Sequence, residues 1–557
     1  MDKPLSQKEK NAWLFLIVLC FLVYLCGWNI PLMEIDAAQY ANISREMLLQ
    51  KSFLQVYDRG LDYLDKPPML FWLSALSMRL FGINDMGYRL PSFLFAILSV
   101  YSTFRFSRLF YAERVAWLSA LVLASCQAMF LITHDVRTDT MLMGWVIFGI
   151  WQMTAWYKNG KWTHLLLASL AWAGGMMTKG PIAVMVPVFA FLPHFLLQRS
   201  FKQLFRWEYL VMLALLGVLL IPMSIGLYQQ FDLHPEKTLL FGQKGVSGLR
   251  FFYWTQSFGR ITGESIWHEN DSFFFLFENM LWGFLPWIVF FVLALIADLR
   301  KLIRTKFRIG PQEEWISTGG FLLTYCALAS SRYQLPHYIY VVFPLVAVMT
   351  GKWLHSLLYT DMGDRWLKPL FSLQALVLVL LSLALLALMY FPFPTFGKLQ
   401  LVTAVVLLTL LVLVVIKAWI PLPRLVVMSV LAMLFINLFL DVGFYKHLLQ
   451  YQMSIRVTSL IKEHGIPKDH FFIYKTDEGR SMDFYNNHSF VHVDHPDSLR
   501  HQDYILTTGE GLHLLQDGSF KLVYSGEDFH VSTLNLLFLN PATRSKQTTP
   551  FYVLQRL

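Results

Sequence analysis

A mainly α-helical, polytopic membrane fold with about 13 transmembrane helices and a small C-terminal α/β domain is what this sequence predicts. Three observations carry the prediction. Of 557 residues, 56% are hydrophobic and only 15% charged, too apolar and too low in charge for an ordinary soluble chain. Thirteen apolar stretches approach the roughly 20 residues that cross about 30 Å of hydrocarbon. After residue 444 the pattern gives way to short β-type runs between polar turns, so residues 1–444 read as the membrane domain and 445–557 as a separate outer domain.

The first stretch, 12–33, sits in a charge-free run of 23 residues, Asn11 to Met33. It lacks a small-residue cleavage site and is long enough to span, so it is expected to remain as an anchor. The others lie near 90–108, 115–133, 140–157, 163–178, 181–198, 209–228, 276–297, 315–330, 338–358, 369–391, 399–416 and 425–443. Lysine and arginine in the short loops set the orientation. With Lys3, Lys8 and Lys10 inside, Arg105, Arg108, Arg114, Lys158, Lys161, the cluster from Arg300 to Arg308, Lys417 and Arg424 fall inside too. An odd number of spans then leaves the tail outside. This topogenic bias accounts for much of the net charge of +9, and with no basic patch interleaved with aromatics nucleic acid is excluded as a partner. Cys20, Cys26, Cys126 and Cys326 all fall inside spans and read as small apolar packing residues.

Three outer segments are long: 34–89, 229–275 and the tail. In the first, "AAQYANISREML" places Tyr40, Ile43, Met47 and Leu48 at helical spacing. "PPMLFWLSALSMRLFG" does the same, so two short interfacial helices are expected, the second starting at Pro67 and Pro68. In the tail, "FFIY" (471–474), "SFVHV" (489–493), "DYIL" (503–506), "FKLVY" (520–524) and "STLNLLFL" (532–539) read as strands. "GGMMTKGP" has its lysine before the glycine at a span end, which excludes a Walker A cradle.

The unusual polar residues fall on one side. Asp36, Tyr40, Asp65 and Lys66 lie on the first outer loop, "THDVRTDT" (133–140) and "TKGP" (178–181) at the next outer turns, "FGRITGESIWHEND" (258–271) on the long outer loop and "SSRYQLPHYIY" (330–340) on the turn after it. Ionisable groups beside a membrane core are costly and so often functional. Five segments at one depth predict a single cavity built by several loops. A polyprenyl phosphate keeps its tail in lipid and its phosphate at the interface, where Lys66, Lys179, Arg260 and Arg332 suit the fixed cations it needs. If that phosphate carries a sugar, an incoming hydroxyl must lose a proton, and an outward carboxylate such as Asp36 suits the base.

Each element also has a plainer reading. Asp36 suits a helix N-cap, and Asp65-Lys66-Pro67-Pro68 a turn before a helix. Asp135, Arg137 and Asp139 suit an ion pair sealing a tight turn, and Lys179 a snorkelling lysine. His268, Glu269, Asp271 and His337 lack diagnostic metal spacing, while His488, His492 and His495 read as solvated surface. It is the convergence of five segments that favours a site.

Taken in order, "IDAAQYANISREML", "YLDKPPMLFW", "FGINDMGYRLPS", "RTDTML", "MMTKGPIAVMVP" and "LPHYIYVVFP" resemble the bacterial aminoarabinose-transferase-like branch of the protein O-mannosyltransferase superfamily, which are GT-C glycosyltransferases. The resemblance runs over roughly residues 12–350. It implies inverting transfer of a sugar from a polyprenyl-phosphate donor to a lipid, glycan or protein acceptor at the periplasmic face of a bacterial inner membrane. By residue, it implies that Asp36 is the first-loop catalytic aspartate and Asp139 the functional aspartate of the second loop. Lys66, Arg260 and Tyr338 match positions that hold the lipid phosphate, and Lys179 matches the lysine of the family's TKG motif. Tyr40 and His337 fall beside these positions as further substrate-binding candidates. Asp65 matches an acidic position near a bound metal; a divalent metal is the one cofactor the resemblance suggests, and none is required by the reading.

The sequence also departs from the family. Ala37 follows Asp36 where an acid is usual, Gln39 takes a basic place, and Gln334 replaces a lysine with Arg332 nearby. Glu34 is a candidate replacement for the missing acid. These changes leave the sugar open. Two rival functions stand beside the transferase: a flippase of lipid-linked sugars, which would want discontinuous helices near the midplane, and a non-catalytic envelope-assembly protein working through its tail.

Overall fold

The computed structural model describes residues 4–34, 36–238, 244–256, 259, 272–360, 362–393, 420–476, 478–515 and 518–557. The span expected at 399–416 lies outside them, as do Arg260, His268, Glu269 and Asp271. Among the described residues six helices are long and apolar enough to cross a membrane, or seven if one bent pair counts as a single span. The chain is a mainly helical, multi-pass membrane protein.

The bent pair corrects the single span expected at 115–133. Helices Glu113–Ala124 and Gln127–His134 meet at 53°. The break arises because the Gln127 amide donates to the Leu285 carbonyl at 2.9 Å, from a distant segment, rather than continuing the helical ladder.

The next two helices carry two of the site residues. Thr138–Asn159 and Trp162–Lys179 form a hairpin turned by Gly160 at φ 70°, a left-handed conformation that glycine adopts without strain. Their packing is reciprocal. A Cβ on Gly149 would fall 2.2 Å from Trp172, and one on Gly174 would fall 2.7 Å from Trp145, so each glycine makes room for the other helix's indole. Close approach along the hairpin brings its far ends, at Asp139 and Lys179, side by side. Gly180 at φ 98° ends the second helix and Pro181 follows it.

The "GYRLPS" arginine has a structural task. Arg89 is fully buried and donates to three backbone carbonyls, His134 at 3.0 Å, Trp28 at 2.8 Å and Ile30 at 2.6 Å, while pairing with Asp85 at 2.6 Å. It thereby gathers the neighbouring ends of three helices and satisfies carbonyls that helix termini leave open.

In the tail, strands β3 (Phe471–Tyr474), β4 (Val491–His492), β5 (Tyr504–Thr508), β6 (Phe520–Asp528) and β7 (Thr549–Arg556) form one mixed sheet in the order β4-β3-β5-β7-β6. β3 runs parallel to β4 and β5, and β7 antiparallel to β5 and β6. The expected strand at 532–539 is instead a short turn, Val531–Thr533, and a helix, Leu536–Leu539. Asn535 caps that helix through the Phe538 amide at 2.9 Å, and Phe538 stacks on Phe529 with ring centres 3.6 Å apart. β7, which the sequence reading lacks, lies inside the sheet.

The first outer loop differs most from expectation. Its hairpin, β1 (Tyr57–Asp58) and β2 (Leu61–Asp62), precedes the helix Met69–Phe81. The helix Asp36–Gln50 has its polar face covered: Asn42, Ser44 and Arg45 are buried to 1% exposure or less. The tail helix Arg480–Asn486 covers it, with Phe484 entering the apolar cluster of Tyr40, Phe71 and Tyr88. Arg45 donates to the Asp483 carbonyl at 2.5 Å and Ser489 Oγ at 2.7 Å. Glu34 does not stand in for the missing acid, because its carboxylate turns to the tail and accepts from Ser454 Oγ, Ser481 N and Ser481 Oγ at 3.0, 2.8 and 2.5 Å.

Arg45→Ala strands these buried acceptors and is expected to cost about 3 kcal/mol. Thermal unfolding in detergent, compared with the exposed control Lys51→Ala, should show a clear fall in Tm for Arg45→Ala alone; equal Tm values contradict the docking described.

Candidate active site

One end of this helical bundle brings carboxylates and cations together in pairs. Asp36 is the first residue of the loop helix, and its carboxylate meets Arg137 Nη1 at 2.5 Å. Arg137 Nε meets Asp135 at 2.8 Å, so one guanidinium bridges two carboxylates. Burial works against the Arg137 charge, but Asp135 and Asp36 outweigh it and hold the guanidinium above even its usual range. Asp139 is 1% exposed and accepts from Lys179 Nζ at 2.5 Å. Lys66 pairs with Asp65 at 2.6 Å.

The aromatic residues frame these pairs. Lys179 Nζ sits 4.0 Å above the Tyr338 ring, a cation–π contact. His337 Nε2 lies 3.6 Å from Asp139, and His337 is within electrostatic reach of Arg137, Lys179 and Lys66. Tyr40 is buried, with its ring edge-on to Phe71. Burial pushes its hydroxyl well above the usual tyrosine range, and Asp36, Tyr63 and Asp65 add to the effect, which sets Asp36 and Asp65 on the same locality.

Lys66, Lys179, Tyr338 and Gln256 line a cleft whose other walls are Leu142, Ile182, Met185, Ala327 and Leu328. It is cationic at one side and aliphatic at the other, the chemistry of an amphiphile with an anionic head.

Asp36, Asp139, Lys66, Lys179, Tyr338 and His337 are thus gathered around this cleft and its rim. Arg332 is exposed on the outer turn and does not line the cleft, and Arg260 lies outside the described residues. Tyr40 supports from beneath. Gln334 is 1% exposed and donates to the Ala329 and Ser331 carbonyls, closing the turn rather than facing a ligand. Two residues absent from the expected site enter it. Arg137, read as sealing its own turn, holds Asp36 from 101 positions away. Gln256 lines the cleft and donates to Asp65 O. Asp65 pairs with the Lys66 ammonium group, and no three His, Cys, Asp or Glu residues gather among the described residues.

The family model described as dolichyl-phosphate-mannose-protein mannosyltransferase matches residues 65–225. Undecaprenyl phosphate-alpha-4-amino-4-deoxy-L-arabinose arabinosyl transferases resemble the chain: 26% identity over 352 residues in Edwardsiella ictaluri, covering 62% of this chain and 60% of that one. The Pseudomonas aeruginosa protein is 27% identical over 395 residues, covering 68% and 66%. The structure of ArnT from Cupriavidus metallidurans bound to undecaprenyl phosphate superposes with a TM-score of 0.72 at 18% identity, over 98% of both chains. The chain resembles these arabinosyl transferases in sequence and shares the fold of ArnT. The same arrangement is found for the apo state of ArnT, with a TM-score of 0.71. These structures speak to the fold alone, and the sequence matches span about 60% to 66% of those two curated relatives' length.

Arg137→Gln leaves Asp36 and Asp135 facing each other without a cation and is expected to cost about 2 kcal/mol. Adding Asp135→Asn should restore part of the lost Tm, a coupling that thermal unfolding of the single and double variants reads directly; strictly additive losses contradict the bridge.

Proposed function

We propose that the chain is a polyprenyl-phosphate-dependent glycosyltransferase of the bacterial inner membrane, working at the periplasmic face. In this reading thirteen spans put the N-terminus in the cytoplasm and the domain 445–557 outside. The observation that carries it is the cleft where two ammonium groups, Lys66 and Lys179, meet an aliphatic wall beside Asp36 and Asp139. Crowding of the charges at one end favours surface chemistry over passage of a headgroup through the membrane.

Lys66, Lys179 and Tyr338 hold the donor phosphate, and the ammonium groups stabilise the charge it gains as the sugar leaves. An acceptor hydroxyl attacks the anomeric carbon from the face opposite the phosphate. The new C–O bond forms as the bond to the phosphate oxygen breaks with its electron pair, which inverts the centre. The hydroxyl proton passes to the Asp36 carboxylate, which Arg137 orients. Asp139 keeps Lys179 in place.

A positioned base contributes about 10²- to 10⁴-fold in rate. Asp36→Asn should therefore lose transfer by that factor while remaining folded, measured as polyprenyl phosphate released from candidate polyprenyl-phosphate sugars by purified protein. Full activity in the folded variant overturns the assignment of the base.

A further inference from the structure

The tail carries an apolar patch that its own fold does not cover. Residues 531–540 hold no charged side chain, and the one-turn helix Leu536–Leu539 lies among them. Leu536 is 82% exposed, and Leu534 and Leu537 stand outward with it. The other side of the same turn is core: Phe538 is fully buried in a cluster with Phe393, Phe444, Leu448 and Phe529. Three outward leucines so close together are unfavourable in water, and an exposed apolar patch marks a surface that something apolar covers.

What covers it follows from the neighbouring span. In the span Arg365–Tyr390 the exposed residues Leu376, Leu380 and Leu383 recur at helical spacing on one face. Gln374, Leu378, Leu385 and Met389 are buried on the opposite one. The exposed face is the one that lipid covers. Tyr390, 76% exposed, and Phe391 fall on that same face at its end, and the Phe391 amide still bonds the Ala387 carbonyl at 2.9 Å, so the helical spacing holds to this point.

Hydrogen bonds fix the leucines at the height of this span end. Arg544 donates to the Phe538 carbonyl at 3.1 Å and to the carbonyl of Pro392, two residues beyond the span, so one guanidinium holds the leucine turn and the span together. It also donates to Tyr451 Oη at 3.0 Å, on the last residue of the span Arg424–Tyr451. The Phe529 amide, in turn, donates to the Tyr451 carbonyl at 2.8 Å. Both spans end on tyrosine, a residue that collects where hydrocarbon meets headgroups. The leucine turn therefore continues the lipid-covered face of the Arg365–Tyr390 span. That continuity favours lipid over a second copy of the chain or a soluble partner.

We propose that Leu534, Leu536 and Leu537 dip into the bilayer boundary and anchor the tail domain to the lipid surface. The domain is then held at two places, by lipid here and by the helix Arg480–Asn486 on the loop helix that begins at Asp36. Nitroxide depth measurement tests this in the full-length chain, with its four native cysteines replaced by alanine, in vesicles of phosphatidylethanolamine and phosphatidylglycerol. A label at Leu536→Cys is compared with one at Leu380→Cys, on the lipid-covered face of the span, and one at Leu522→Cys, exposed on β6 six residues before Asp528. The ratio of collisions with oxygen to collisions with a water-soluble nickel chelate should exceed that at Leu522 several-fold and approach that at Leu380. A ratio equal to that at Leu522 overturns the proposal, and so does a label that neither reagent reaches, which would mean that protein covers the turn. Should the cysteine-free chain fail to fold, benzoylphenylalanine at Leu537 of the wild-type chain decides in the same vesicles. Irradiation should yield a phospholipid adduct by mass spectrometry; a protein adduct, or none, overturns the anchor.

Discussion

Pairing of the carboxylates of Asp36, Asp65, Asp135 and Asp139 with cations, beside an apolar helical bundle, is the constraint on which the rest of this structure depends. An ionised group beside a hydrocarbon layer is costly unless a partner stands within hydrogen-bond reach. Asp139 with Lys179, Asp65 with Lys66, and Asp36 and Asp135 on Arg137 meet that requirement. The pairs fix where the loops can go. They also set Lys66 and Lys179 in the lining of a cleft with aliphatic walls, so in the proposed reading one arrangement serves both stability and recognition of an anionic lipid.

The helices reach this arrangement through close packing away from the charges. Reciprocal glycine–tryptophan contacts draw one hairpin together, and Arg89 ties three helix ends by their carbonyls. The tail completes the scaffold. Tyr485 donates to Asp85 and receives the Leu32 amide, and Glu34 is held by Ser454 and Ser481. The segment just before Asp36 is therefore anchored by residues more than 400 positions away, and the tail belongs to the architecture of the site.

The sequence made the membrane fold legible because hydropathy dominates it: long uncharged runs have few alternatives. Asp36, Lys66, Asp139 and Lys179 were equally legible, since charges beside such runs stand out. What stayed hidden depends on partners far along the chain. The break near residue 125 follows from a carbonyl at Leu285, and the Asp36–Arg137 bridge from loops 101 residues apart. The loop helix shows an amphipathic pattern that suits an interface; only the tail's Asp483 carbonyl and Ser489, which bond its Arg45, explain why its polar face is buried. β7 escapes because its pairing with β5 and β6 is non-local, whereas the apolar run at 532–539 buries Phe538 alone and leaves Leu536 and Leu537 exposed, a pattern without strand alternation.

The central claim is that Lys66 and Lys179 hold a lipid phosphate. Equilibrium binding of undecaprenyl phosphate to the purified protein, compared among wild type, Lys66→Ala, Lys179→Ala and the double variant, tests it most directly. The account predicts that each single change weakens binding about tenfold or more, with a larger loss in the double variant. Wild-type affinity in both single variants would contradict it.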